Sequence, residues 1–191
     1  MKTFISLTSA LLLFVLISCG KKEPDAVKEA LDSNKATVDT LKKSGAADFS
    51  GDTKFAVAIA DGSMTEIALS KLALTNASSK SIKDFAKIMV KDHSAAAAAL
   101  KEAAGKKGIA LPEKLSDKSQ KVCDDMAKKN GADFDKAYTN QMVSDHKDAV
   151  SAFESEAKYG NDADLKSWAT KTLPTIMHHL DMAKAIGDKL K

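Results

Sequence analysis

Apolar side chains between Phe55 and Leu190 recur three and four residues apart in four long segments, without the β-branched alternation a strand requires. Alanine, lysine and leucine dominate that stretch, which commits the chain to helices. The first stripe runs Phe55, Ile59, Gly62, Glu66, Leu69, Ala73. The second runs Ile82, Phe85, Met89, His93, Ala96, Leu100, and the third Phe134, Tyr138, Met142, His146, Ala149, Phe153. The last comprises Leu165, Trp168, Thr172, Ile176, His179, Ala183, Ile186 and Leu190, with His178 rotated off the face.

Each stripe is interrupted once, near its middle, by a side chain that can ligate a metal: Glu66, His93, His146 and His179. Everything else on the stripes is ordinary core material, so these four positions carry the chemical information.

Local punctuation gives helices over about 53–76, 80–107, 132–159 and 162–190, with a short one at about 116–129. Asp52 or Thr53 is positioned to cap the first. Asn76-Ala77-Ser78-Ser79 and Gly160-Asn161-Asp162 are short breaks, whereas Gly105, Gly108 and Pro112 open a long one that closes at Asn130-Gly131. Two short connections around one long one predict an all-α fold of two antiparallel hairpins joined by a crossover, the ferritin-like form of a four-helix bundle. A faint repeat accompanies it: Ile82 to Lys87 is echoed by Leu165 to Thr170, and Phe55 with Glu66 by Phe134 with Asp145 or His146.

Residue counting places the four interruptions at similar depths. At about 1.5 Å per residue, Glu66 and His93 differ by roughly 7–8 Å along the bundle axis, and His146 and His179 by about one turn. One mid-bundle layer of three imidazoles and a carboxylate suits a single Zn, Fe, Mn or Cu ion. Asp92, Asp145 and Asp181 are weaker candidates for an outer shell, because neighbours on a helix diverge by about 100°. Without an ion, the same residues make a buried polar network that fixes helix register. Pro174, inside the last helix, removes a backbone hydrogen bond one turn before His179.

The first residues belong to a different problem. Lys2, an apolar run from Ala10 to Ile17 too short to span a bilayer, and the sequence Leu16-Ile17-Ser18-Cys19 resemble a bacterial lipoprotein signal with its lipobox. Residues 1–18 would then be removed, Cys19 would carry lipid, and residues 19–52 would form a polar tether with one weak helix ahead of a bundle over 53–191. Such an anchor makes the membrane the one expected partner. The lysine-rich start after Cys19 points to the outer membrane, with the body facing the periplasm. Only Cys123 remains as a thiol, expected to be small and buried rather than paired. Lys+Arg 29 stand interspersed against Asp+Glu 26, with no basic patch, which excludes a nucleic-acid footprint.

From about Phe55 to Ile186 the sequence also resembles the bacterial domain-of-unknown-function family numbered 4142, of the ferritin-like superfamily. The resemblance rests on Phe55 through Glu66, Phe85-Ala86 through Met89-Val90 with Asp92-His93, and Phe134-Asp135 with Tyr138. His146 with Phe153, Leu173-Pro174 through His179-Leu180 with Ala183, and Gly108–Pro112 complete it. It implies the fold and an exported location, and brings no catalytic assignment. Ferritin-like oxidases carry Glu-x-x-His pairs, but here Val90 and Ile176 stand three residues before His93 and His179, so a di-iron centre is not expected. The expectation is a binding protein rather than an enzyme, serving stress protection or metal handling; a metal-free structural or interaction module and a metal-dependent oxidoreductase are the alternatives. No nucleophile elbow or phosphate-binding glycine loop supports other catalysis.

Overall fold

The computed structural model describes residues 23–45 and 47–190, so the signal segment 1–18 and Cys19 lie outside the described residues. Six helices follow in order: α1 (Ala26–Lys43), α2 (Ser50–Asn76), α3 (Lys80–Lys106), α4 (Asp117–Ala127), α5 (Gly131–Tyr159) and α6 (Ala163–Lys189). The protein is all-α, and α2, α3, α5 and α6 form a four-helix bundle in which α2 pairs with α3, α5 with α6, α3 with α6 and α2 with α5.

The ends of these helices follow from local chemistry. Asp25, Ser116 and Asp162 accept backbone N–H groups of the first turns of α1, α4 and α6. Gly108, at φ +66°, turns the chain out of α3 in the left-handed region, and Ile109 N–H then donates to the Ala104 carbonyl at 3.0 Å. Pro174 sits within α6, which continues unbroken to Lys189.

The long connection between α3 and α5 runs the length of the bundle. Ala77, in the α2–α3 turn, bridges to Gly131 at the start of α5, so α3 and α5 begin at the same end and are parallel. The α4 helix rides on this crossover and is pinned to α2 by Asp61. That carboxylate accepts Ser116 N–H at 2.8 Å, Ser116 Oγ–H at 2.9 Å and Ser119 Oγ–H at 2.7 Å. Cys123 is a buried free thiol on α4, packed with Met126, and burial pushes it up from its ordinary pKa.

The two hairpins complete each other. Asp135 of α5 accepts Ser78 N–H at 3.0 Å and Ser79 N–H at 2.9 Å, closing the α2–α3 turn. Asp52 of α2 accepts Asp162 N–H at 2.7 Å, closing the α5–α6 turn. One and the same sequence interval separates Asp52 from Asp135, Phe55 from Tyr138, Ser79 from Asp162 and Phe85 from Trp168. Ring contacts obey the same relation: Phe85 meets Tyr138 edge-on at 6.3 Å, and Trp168 meets Phe55 at 6.0 Å. The counterpart of Phe55 is therefore Tyr138, one turn beyond the Phe134 expected from sequence. The first bundle helix also begins at Ser50, ahead of Asp52 and Thr53, because Asp48 accepts Ser50 N–H and Asp52 is engaged by the opposite hairpin.

Within the stretch expected as a polar tether, α1 is docked on the bundle. It buries Ala26, Ala30 and Asn34. The Asn34 amide donates to the Ala110 carbonyl at 2.8 Å and accepts Ala110 N–H at 2.7 Å, so it pairs with the crossover as one backbone strand would with another. No described helix is long and apolar enough to cross a membrane.

Two apolar clusters fill the bundle. One, toward the α2–α3 turn, gathers Leu69, Ile82, Phe85, Met89, Tyr138, Met142 and Ile186. The other, toward the α5–α6 turn, gathers Ala56, Leu100, Phe153, Leu165, Trp168 and Ile176. On every one of the four helices one buried residue able to ligate a metal stands between the two clusters.

Candidate metal centre

Those four residues are Glu66, His93, His146 and His179, and the fold brings them together. All are buried, at 6%, 3%, 0% and 1% exposure. The three imidazoles each offer a ring nitrogen, and these nitrogens lie within 4.8 Å of one another. Their ring centroids are 5.3 to 5.6 Å apart. Glu66 stands between two of them, Oε2 being 3.1 Å from His93 Nδ1 and Oε1 3.2 Å from His146 Nδ1. The Glu66–His93 approach is close but not aligned as a hydrogen bond, which leaves both nitrogens of His93 without a partner.

Two of the rings are held by a hydrogen bond at one nitrogen. His146 Nδ1 lies 2.9 Å from the Met142 carbonyl oxygen; a carbonyl only accepts, so Nδ1 carries the proton and Nε2 the lone pair. His179 Nε2 lies 3.1 Å from Asp92 Oδ2 and donates to that carboxylate, leaving its lone pair on Nδ1. Those two lone-pair nitrogens, His146 Nε2 and His179 Nδ1, are both buried with no hydrogen-bond partner. An unpaired polar atom in such a place costs about 1–3 kcal/mol, so three imidazoles left in this state are an expense the fold sustains at its centre.

The electrostatics keep the group neutral. Burial, then the neighbouring His146 and His179, push His93 down to about 3; burial, then His179, takes His146 down to about 4 despite the Met142 carbonyl. Burial also lowers His179, against the pull of Asp92. Burial, with the Asp145 carboxyl nearby, holds Glu66 well above the usual carboxyl range. At neutral pH the imidazoles are therefore unprotonated, the form in which they ligate. A tetrahedral ion with bonds of about 2.0–2.1 Å needs ligand nitrogens roughly 3.4 Å apart, a modest inward closure of these rings.

The remaining sequence candidates fall outside this cluster. Asp92 faces across the bundle to His179 rather than toward His93 beside it. Asp145 does not touch the imidazoles; Gln141 Nε2 donates to its two oxygens at 2.9 and 3.0 Å, and burial raises its pKa. His178 and Asp181 are exposed. Sequence reasoning did not single out the Met142 carbonyl, since in a helix that oxygen is ordinarily taken by the backbone N–H four residues on, and the rotamer that turns the His146 ring back to it is set by packing.

A cavity of about 410 Å³ adjoins the centre between α2, α4 and α5. His93 and Glu66 form part of its wall, with Ile59, Phe153, Trp168 and Ile176 on its apolar side, whereas His146 and His179 do not line it. Exposed Ala58, Lys118 and Asp148 are at its rim.

A family model described as a domain of unknown function, DUF4142, matches residues 37–186. The chain belongs to that family. The matched DUF4142 region takes in the last seven residues of α1, α2 through α5, α6 as far as Ile186, and all four residues of the central layer. No curated protein and no solved structure matches the chain.

Proposed function

We propose that this DUF4142 protein is a lipid-anchored protein of the bacterial envelope whose bundle holds one first-row transition-metal ion through His93, His146 and His179, with Glu66 beside it. The observation that carries the metal reading is that two of the rings are each held at one nitrogen and left unpartnered at the other. His146 and His179 each give their N–H to a fixed acceptor and keep a buried lone pair unpartnered, the arrangement by which proteins orient metal-ligating histidines. Three nitrogens with a carboxylate beside them suit Zn, Fe, Mn or Cu in one mononuclear site. Two hairpins joined by a lengthwise crossover support placement in the ferritin-like superfamily, and Val90 and Ile176 speak against its di-iron chemistry.

The anchor rests on the lipobox-like Leu16-Ile17-Ser18-Cys19, with Cys19 as the acylated N-terminus in the outer membrane, facing the periplasm. Metabolic labelling with a radioactive fatty acid tests it: label lost in Cys19→Ala is expected, and label retained overturns it.

For the ion, protein stripped by a chelator and reloaded with Zn, Fe, Mn or Cu is to be assayed for metal content and melting temperature. One bound ion per chain and a rise in Tm are expected. No stoichiometric metal and no stabilisation by any of the four would leave the layer as a metal-free polar core that sets helix register. That second reading has its own support, because burial disfavours the charged forms of Glu66, His93 and His146 alike.

A further inference from the structure

We propose that the cavity beside His93 and Glu66 is a ligand site on the open face of the metal centre. Its ligand class is a small neutral molecule with an apolar body and one lone-pair donor, such as an azole. This rests on the metal reading above and adds a bound molecule to it. The first ground is directional. Of the four central residues only His93 and Glu66 line the cavity, so an ion held by the three imidazoles is approached from one side. His93, at 3% exposure and with both ring nitrogens unpartnered, marks that side. Three protein nitrogens and a free position facing a cavity form the arrangement of catalytic rather than structural zinc sites.

The second ground is the space itself. The cleft opens to solvent at its rim and, at about 410 Å³, falls in the range of small-molecule pockets. Small residues make it: Ala58 and Gly62 from α2, Ala96 from α3, Ala149 and Ala152 from α5. A Cβ built on Gly62 meets nothing within 4 Å, so the empty volume reaches that backbone. The third ground is charge. Besides Glu66, whose charged form burial disfavours, the carboxyl groups of Asp61, Asp145 and Asp148 face the space against Lys118, a lining that disfavours anions. Phe153, Trp168 and Ile176 supply apolar wall for the body of the ligand. On binding, the donor's lone pair completes the ion's coordination, and no bond in the ligand is broken.

The test uses the full chain loaded with Co(II), whose visible bands report coordination, titrated with imidazole as the probe. A saturable shift of the bands is expected in the wild-type protein. Gly62→Leu and Ala149→Leu, which fill the cavity from α2 and α5, should keep their cobalt and bind imidazole about tenfold or more weakly. Cobalt bound but unchanged by imidazole overturns the ligand site and leaves the metal reading standing. An equal shift in both filled variants also overturns it, because the probe would then arrive by another route. Failure of the wild-type chain to bind cobalt at all overturns the metal reading and this inference with it.

Discussion

His179 Nε2 on α6 donates to Asp92 Oδ2 on α3 at 3.1 Å, so the carboxylate that orients one imidazole is carried by the residue next to another, His93. The two ligand helices are thereby coupled outside the site as well as within it. Removing the Asp92 charge should weaken the ion's hold on the protein while leaving the fold intact. Asp92→Asn is expected to lower metal affinity by about 10–100-fold, the usual range for loss of such a partner. Competition with a chromophoric chelator measures it, and an unchanged affinity would show that Asp92 does not position His179.

His146 is fully buried, with its Nε2 unpaired in the absence of an ion. A leucine of similar volume removes that unmet polar atom. Apo His146→Leu should therefore be more stable than the apo wild type by about 1 kcal/mol. The same substitution should abolish any rise in Tm on adding metal. Chemical denaturation with and without the ion separates the two effects, and a variant that still gains Tm from metal would remove His146 from the ligand set.

The turn of each hairpin depends on a carboxylate from the other. Asp135→Ala leaves Ser78 and Ser79 N–H without their acceptor, and should destabilise the protein by about 1–3 kcal/mol. Metal content should not change, since Asp135 lies at the bundle end and the ligands lie at its middle. Urea unfolding beside metal analysis checks both halves of the statement.

Glu156 gives a pH dependence independent of the metal centre. Burial, followed by the Asp52 carboxylate and the hydrogen bond to it, then Asp162, raises its pKa from 4.5 to about 8. In the folded protein it therefore keeps a proton that the unfolded chain gives up. The associated stability is fully present below about 4.5 and is lost as pH rises through about 8. The loss approaches about 1.4 kcal/mol per pH unit at its steepest. Glu156→Gln, which cannot ionise, should flatten that part of the profile between those pH values. A profile of unchanged slope would mean that Glu156 is not the titrating group.

Much of this architecture could be read from spacing. Stripes at three- and four-residue intervals gave the helices, and one polar interruption per stripe, with depth counting, anticipated a common layer of Glu66, His93, His146 and His179. The α1 docking could not be anticipated in the same way. Its buried face is Ala26, Ala30 and Asn34, and an alanine face with a polar anchor has no hydrophobic signature. The outer partners were half legible: Asp92 was in view as a residue, but which imidazole it meets depends on how α3 and α6 cross. The repeat is in register where Ile82 to Lys87 is matched to Leu165 to Thr170, but about one turn out where Phe55 with Glu66 is matched to Phe134 with Asp145 or His146, because Asp52 and Asp135 fix its phase. The cavity had no sequence signal of its own, since alanine and glycine facing a void resemble alanine and glycine facing a tightly packed neighbour.

The exchange of Asp52 and Asp135 between hairpins also bears on how the molecule comes together. A lone α2–α3 pair would present an unfinished turn, with two backbone N–H groups waiting for a side chain synthesised more than fifty residues later. The α5–α6 pair likewise waits on α2, which is already made when it emerges. Neither half is self-sufficient, so the chain should assemble in one concerted step once its C-terminal half is complete, with loss of either half abolishing the folded state of the other.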